Sequence, residues 1–201
     1  MLESMSTGRS LIVDLPAELR NRIYHFVLAD HPQARLKAGS PILASQSTLP
    51  RVNKQVRAEY LAILHLFAPE TVAQVRNLDF RHIVTFFNKL AKSELAALSK
   101  KSSAPRLERP MMIELAFDDI DVGLRGYLPE YFFRWLRRLE HPTKPGTTVA
   151  MHYTVDPRSE ISSSLLEHVR AEVHKMPSGE GAYAGQKIKE ALRKSLISAQ
   201  Q

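Results

Sequence analysis

The sequence predicts an α+β fold, in which an N-terminal helical pair precedes a small strand-helix-strand-helix-strand-helix layer with helices on the sheet. Three observations support this. Apolar residues recur at spacings of three and four between Leu49 and Phe67, as on one face of a helix. They alternate at a spacing of two in residues 111–117 and 149–155, as in strands. Because predicted helices separate the strands, we expect the strands to pair in parallel.

The first helix is predicted to begin near Leu15 and to end near Ala29. Pro16 suits its first turn, where a missing N–H costs nothing, and Glu18 favours the positive end of the helix dipole. The sequence Asp30-His31-Pro32 is typical of a helix end. The apolar residues that share one helical face are Leu15, Leu19, Ile23, Phe26 and Val27.

The second helix is predicted to begin at Pro50 and to end before Pro69. Residues 30–48 contain two prolines, a glycine and several serines, so we expect a loop there. The periodicity of the second helix is the strongest in the chain. Its apolar positions are Leu49, Val52, Val56, Tyr60, Ile63 and Phe67.

The rest of the chain alternates between the two patterns. We expect a short strand at 71–76, and then a helix that Asp79 caps and that carries Ile83 to Leu98. Residues 99–109 are polar and basic, which indicates a connector. The later predicted elements are a strand at 111–117, a helix opening at Pro129, a strand at 149–155, a helix at about 159–174, a flexible segment at 177–185 and a basic helix at about 186–198.

Composition excludes several classes of protein. The chain has no cysteine, so it has no disulfide, no thiolate metal site and no cysteine nucleophile. Residues 1–13 lack the apolar run of a signal peptide, and no segment approaches the length of a membrane span. We therefore expect an intracellular protein, cytoplasmic or nuclear, that does not enter a membrane.

The two predicted N-terminal helices carry a pair of short motifs. The first is Leu15-Pro16-Ala17-Glu18-Leu19-Arg20, followed by Ile23 and Tyr24. The second is Arg51-Val52-Asn53-Lys54-Gln55-Val56-Arg57-Ala58-Glu59. Together they resemble the F-box-like domain of filamentous fungi, over about residues 14–68.

The resemblance implies a function in protein recognition. F-box proteins dock on the Skp-type adaptor of cullin–RING ubiquitin ligases and present substrates through a variable C-terminal part. By this resemblance, the residues at or near the adaptor surface are Leu15, Pro16, Leu19, Ile23 and Val52. The alternative is structural, because an amphipathic helix can equally bury its apolar face against the following α/β part.

Three regions follow from these patterns. Residues 14–68 form the predicted F-box-like helical module, 69–176 a small α/β domain, and 177–201 a flexible segment with the basic C-terminal helix. The target that the α/β part would recognise is an unknown protein.

The charge of the chain supports a second hypothesis. Lysine and arginine number 28 against 21 acidic residues, which gives a net charge of +7. Such an excess can attract nucleic acid or another anionic surface, although the basic residues form no dense run. The residues that would contact phosphate lie on the last helix: Lys187, Lys189, Arg193 and Lys194.

The sequence shows no catalytic, metal or cofactor constellation. Asp118, Asp119 and Asp121 follow a predicted strand and could hold Mg²⁺, but no phosphate loop or paired base accompanies them, so a solvated turn is preferred. The glycines between Gly179 and Lys187 do not have the spacing of a phosphate loop and indicate a hinge. We therefore expect a binding protein without a catalytic site, a cofactor or a metal.

Overall fold

The computed structural model describes residues 11–99, 110–118 and 130–199. Its α-helices are α1 (Ala17–Asp30), α2 (Lys54–Phe67), α3 (Arg81–Lys89), α4 (Lys92–Ser99), α5 (Glu130–Leu139), α6 (Ser163–His174) and α7 (Glu180–Ser198). Its strands are β1 (Gln33–Leu36), β2 (Leu43–Ser45), β3 (Glu70–Arg76), β4 (Met111–Ala116) and β5 (Met151–Val155). Single 3₁₀ turns occupy Leu11–Asp14 and Leu49–Arg51. The predicted α+β class, with its N-terminal helical pair, is confirmed.

The five strands form one mixed sheet in the order β2-β1-β3-β4-β5. β1, β3, β4 and β5 are parallel to one another, and β2 runs antiparallel to β1 at the edge. β4 and β5 are the two strands expected from alternation, and β3 is the short strand expected at 71–76. The parallel pairing of these three strands is confirmed.

One face of the sheet carries the main hydrophobic core. Parallel register places Leu36 beside Ala73 and Ile113 beside Tyr153 on this face. Helix residues complete the core, and Trp135 of α5 lies almost flat on Phe80, with ring centroids 5.0 Å apart. Burial of alternate strand residues against helices therefore accounts for the period-two pattern of the sequence.

The opposite face of the sheet is mostly polar. Arg35, His152 and Thr154 are exposed on it, and Gln74 and Glu114 are half-buried. Parallel sheets are usually covered on both faces and read as continuous apolar runs. The alternation in β3 and β4 therefore reflects a sheet that buries one face more deeply than the other.

The expectation of a loop across residues 30–48 is wrong, because β1 and β2 lie there. Each strand has only three or four residues, too few to give a periodic pattern. The two strands pair with each other, and β1 also pairs with β3, which lies more than thirty residues further along the chain. Prolines at 32 and 41 precede the two strands without interrupting them.

Several helix boundaries also differ from the predicted ones. α2 begins at Lys54 because the Asn53 side chain accepts a hydrogen bond from the Val56 amide. α6 begins at Ser163, capped in the same way by Ser162. The predicted helix after Asp79 is two helices, and α7 begins at Glu180, inside the segment expected to be flexible. The connector predicted at 99–109 begins inside α4, which ends at Ser99, and residues 100–109 and Pro129 lie outside the described residues.

The sheet and the main core both extend across the boundary predicted at residue 68. β1 belongs to the 14–68 segment and pairs with β3 of the following segment. Leu28 of α1 and Leu64 of α2 are buried in the same core as the strands. The two N-terminal helices are thus attached to the sheet on one side, which decides which of their faces remain accessible.

Candidate docking surface on the first two helices

A hydrogen-bonded cluster joins α1 to α2. The Glu59 carboxylate accepts hydrogen bonds from Nε and Nη2 of Arg20, at 2.9 and 2.8 Å, and from the Tyr24 hydroxyl at 2.8 Å. Gln55, one turn earlier on α2, donates a fourth bond to Glu59 at 2.9 Å. Arg20 also donates to the Leu15 carbonyl oxygen at 2.6 Å. We call Arg20, Tyr24 and Glu59 the interhelix clamp.

The pKa values of Glu59 and Tyr24 in the clamp are shifted far from their ordinary values. The Arg20 guanidinium, with the other donors, lowers the pKa of Glu59 to about 2. Burial raises the pKa of Tyr24 to about 12, and its bond to Glu59 acts in the same direction. Glu59 is therefore an ionised acceptor and Tyr24 a neutral donor at neutral pH, which makes this a charge-assisted contact.

A small apolar cluster lies beside the clamp. Tyr24, Val56 and Tyr60 are fully buried, and the two tyrosine rings meet edge to face with centroids 5.9 Å apart. The Tyr60 hydroxyl lies 3.1 Å from Oγ of Ser45 at the end of β2. The hydroxyl groups of both tyrosines therefore have polar partners, and their rings are buried in the contact between the helices.

The clamp decides which face of α1 is turned inward. The buried residues of this helix are Tyr24 and Leu28, not the apolar stripe recognised in the sequence. Leu19 is 44% exposed and Phe26 is 73% exposed, whereas Ile23 between them is half-buried. These three residues recur at spacings of four and three, so they lie on one face. We call Leu19, Ile23 and Phe26 the α1 ridge.

The residues predicted to bind a partner are all accessible to some degree. Pro16 and Leu19 are exposed, Leu15 and Ile23 are half-buried, and Val52, at the end of the second 3₁₀ turn, is 46% exposed. None of the five belongs to the buried core. Sequence reasoning assigned Phe26 to the apolar face but not to the site, although it is the most exposed side chain of the ridge.

Polar residues of the two motifs make structural contacts. Asn53 caps α2, and Nε of Arg57 donates to the Pro50 carbonyl oxygen at 2.8 Å. Arg20 and Glu59 hold the helices together. In the sequence these residues carry the resemblance, and the opposite charges of Arg20 and Glu59 are the signal that could have predicted their structural role. The motifs therefore combine polar residues that fix the helical pair with apolar residues that remain accessible.

The four basic residues of α7 do not all line one groove, and Arg193 is exposed. Lys187 and Lys194 line a groove of about 550 Å³ beside β5, together with Tyr183 and Glu190. Lys189 lines a different groove, against α6. The buried stripe of α7, which includes Ile188, Ala191 and Leu192, turns toward the protein core. Lys187 is also 3.7 Å from the Glu190 carboxylate, which offsets its charge.

The remaining two candidate sites are the aspartates after β4 and the glycine-rich segment before α7. Asp118 is exposed and lies 3.9 Å from Nη1 of Arg76, whereas Asp119 and Asp121 lie outside the described residues. In the glycine-rich segment, Oε1 of Glu140 accepts a hydrogen bond from the Gly181 amide at 2.9 Å. The start of α7, where a phosphate loop would bind its ligand, is thus occupied by a carboxylate of the protein itself.

Neither a cluster of metal ligands nor a membrane span occurs in the described residues. No three histidine, aspartate or glutamate side chains come together there in a metal-binding arrangement. Within the same ranges, no helix combines the length and the apolar character needed to cross a bilayer.

Comparison with known proteins gave no match, whether with family models, with curated proteins or with solved structures.

Proposed function

We propose that α1 and α2 form a protein-docking module and that the chain acts as an F-box-like substrate adaptor of a cullin–RING ubiquitin ligase. The observation that carries the proposal is the α1 ridge, which stays accessible although the opposite side of α1 is buried. The two motifs of the resemblance lie on this helical pair. An adaptor of this class acts inside the cell.

Exposed apolar side chains on a rigid helix are suited to binding another protein. Burying a large apolar side chain that was in water contributes about 1.5–3 kcal/mol, so a few anchors are enough for a specific contact. Phe26 and Leu19 are such anchors, with Val52 on the neighbouring 3₁₀ turn. The interhelix clamp fixes α1 against α2, so little ordering entropy is lost when the ridge is covered. In this proposal the sheet and the later helices contact the target protein.

The proposal is tested by co-purification with the Skp-type subunit. The variant Leu19→Asp places a charge at the centre of the expected contact. Ile197→Asp is the matched control, because Ile197 is a branched aliphatic residue that is 48% exposed, near the end of α7. We expect the wild type and Ile197→Asp to retain the subunit, and Leu19→Asp to lose at least nine tenths of it.

Two results would overturn the proposal. Failure of the folded wild type to retain the Skp-type subunit removes the ligase-adaptor function. Equal retention by Leu19→Asp and Ile197→Asp removes the α1 ridge as the docking surface. Circular dichroism of all three proteins checks that loss of binding does not reflect loss of fold.

A further inference from the structure

The direction of the connections reverses between the neighbouring strands β1 and β3 of the sheet. The chain leaves β1 toward β2 on one side, whereas it leaves β3 toward α3 and β4 on the other side. β1 and β3 are parallel neighbours, so their carboxyl ends lie side by side at this point. Ligands of open α/β sheets bind preferentially in the crevice that such a switch in topology creates.

A groove of about 560 Å³ lies at this switch point. One wall is Lys37, Ala38 and Gly39, which follow β1 directly. The other wall is the end of β3 and the turn after it, and it comprises Gln74, Arg76, Asn77 and Asp79. We call this the switch-point groove. Its volume is in the range of small-molecule sites.

The accessible charge of the groove is positive. Lys37 and Arg76 are both exposed, one on each wall. The two carboxylate oxygens of Asp79 accept hydrogen bonds from the Arg81 guanidinium, so the charge of this wall residue is already neutralised. Asp118 is the carboxylate nearest Arg76 in the described chain, and this exposed pair at 3.9 Å is weak, so another anion can compete for the guanidinium.

The backbone on both walls is in an unusual conformation. Asn77 and Leu78 are consecutive left-handed residues, with φ of 49° and 59°. Asn77 is held by bonds from its amide to the Ala116 carbonyl and from the Asp118 amide to its side chain. On the facing wall, Gly39 has φ of 77° and no atom within 4 Å of the place where a Cβ would be. The backbone at Gly39 is thus open to close approach by a ligand.

We propose that the switch-point groove binds a small molecule that carries an oxyanion, such as a phosphate monoester, between Lys37 and Arg76. Arg76 supplies a planar guanidinium that fits phosphate or carboxylate in a bidentate manner, and Lys37 supplies a second positive charge. The site is separate from the α1 ridge, so it does not depend on the proposed docking function.

The test is an NMR titration of ¹⁵N-labelled full-length protein with inorganic phosphate, glucose 6-phosphate and glucose. We expect saturable shifts of the Gly39 and Asn77 amides with glucose 6-phosphate, weaker binding of inorganic phosphate and no shifts with glucose. The affinity should fall as salt is added, since charge attraction is screened.

Three substitutions separate this site from general charge attraction. Arg76→Gln should weaken binding at least tenfold, which corresponds to about 1.4 kcal/mol. Arg170→Gln is the matched control, because Arg170 is exposed on α6 and lies 3.6 Å from one carboxylate. The affinity of this variant for glucose 6-phosphate should stay within about twofold of that of the wild type. Asp118→Asn should strengthen binding roughly threefold, because it removes the anion that competes for Arg76.

The proposal is overturned by the absence of saturable shifts at Gly39 and Asn77 with either phosphate compound. It is equally overturned if Arg76→Gln and Arg170→Gln bind with the same affinity. A spectrum of each variant that otherwise overlays the wild type confirms that the fold is intact, so either result bears on the site itself.

Discussion

Removal of one hydroxyl from the interhelix clamp gives a sharp test of its energetics. Tyr24→Phe deletes the bond to Glu59 but keeps the buried ring and its edge-to-face contact with Tyr60. Tyr60→Phe is the matched control, because Tyr60 is equally buried and its hydroxyl lies near Ser45, a neutral partner. The two variants differ in the charge of the lost partner and in the length of the lost contact, 2.8 Å against 3.1 Å.

The expected magnitudes follow from those partners. A hydrogen bond to a charged group contributes about 1.5–3 kcal/mol, and one between neutral groups about 0.5–1.5 kcal/mol. Glu59 keeps the bonds from Arg20 and Gln55 in Tyr24→Phe, so we take the lower end, about 1.5 kcal/mol. The 3.1 Å separation of Tyr60 and Ser45 is long for hydroxyls, so we expect about 0.5 kcal/mol for Tyr60→Phe.

Urea unfolding at neutral pH measures both variants. The single tryptophan, Trp135, is buried in the main core and reports on the sheet, whereas circular dichroism also reports on α1 and α2. We expect the midpoint to fall with an unchanged denaturant slope, and by more in Tyr24→Phe. If residues 14–68 unfold as a separate module, the two signals will have different midpoints.

The difference between the variants should also depend on pH. The folded pKa of Glu59 is about 2, below its ordinary value of 4.5, so the stability it contributes is complete above 4.5 and is lost as the pH falls toward 2. At about pH 3 the difference between Tyr24→Phe and Tyr60→Phe should therefore shrink. Equal destabilisation at neutral pH, or a difference that does not change with pH, would refute the assignment of a charged partner.

Three further predictions follow. Asn53→Ala should destabilise the protein by about 1 kcal/mol, because the Val56 amide loses its cap; urea unfolding measures this. Gly181→Ala should cost about 1–3 kcal/mol, because its Cβ would overlap the Leu136 carbonyl oxygen; thermal unfolding measures this. Burial lowers the pKa of His82 below 6.5, so the stability of the protein should fall as the pH drops below that value. His82→Gln should reduce this pH dependence, which urea unfolding at several pH values measures.

Each of these expectations has a clear contrary result. An Asn53→Ala variant as stable as the wild type would mean that the 3₁₀ turn, not the cap, fixes the start of α2. A Gly181→Ala variant as stable as the wild type would mean that α7 can move away from α5 without loss of stability. The same pH dependence in His82→Gln and the wild type would mean that another group is responsible.

Much of the element order is determined by local sequence patterns. Alternation in β4 and β5 and periodicity in α2 are visible without any structure, because each reports burial on one side of a single element. The parallel pairing of those strands follows from the helices between them. The resemblance pointed to Leu19 and Ile23 of α1, and the helical periodicity to Phe26, but neither indicated which of them is exposed.

Only the tertiary structure decided which side of α1 is accessible. The helix carries two apolar faces, and the contacts that bury one of them come from Glu59 and Tyr60, more than thirty residues away. The same holds for β1 and β2, which are too short to be recognised alone, and for the switch-point groove, which joins the ends of two distant strands. Local sequence determines what each segment can form, whereas contacts between distant segments select which surfaces are buried and which remain open to a partner.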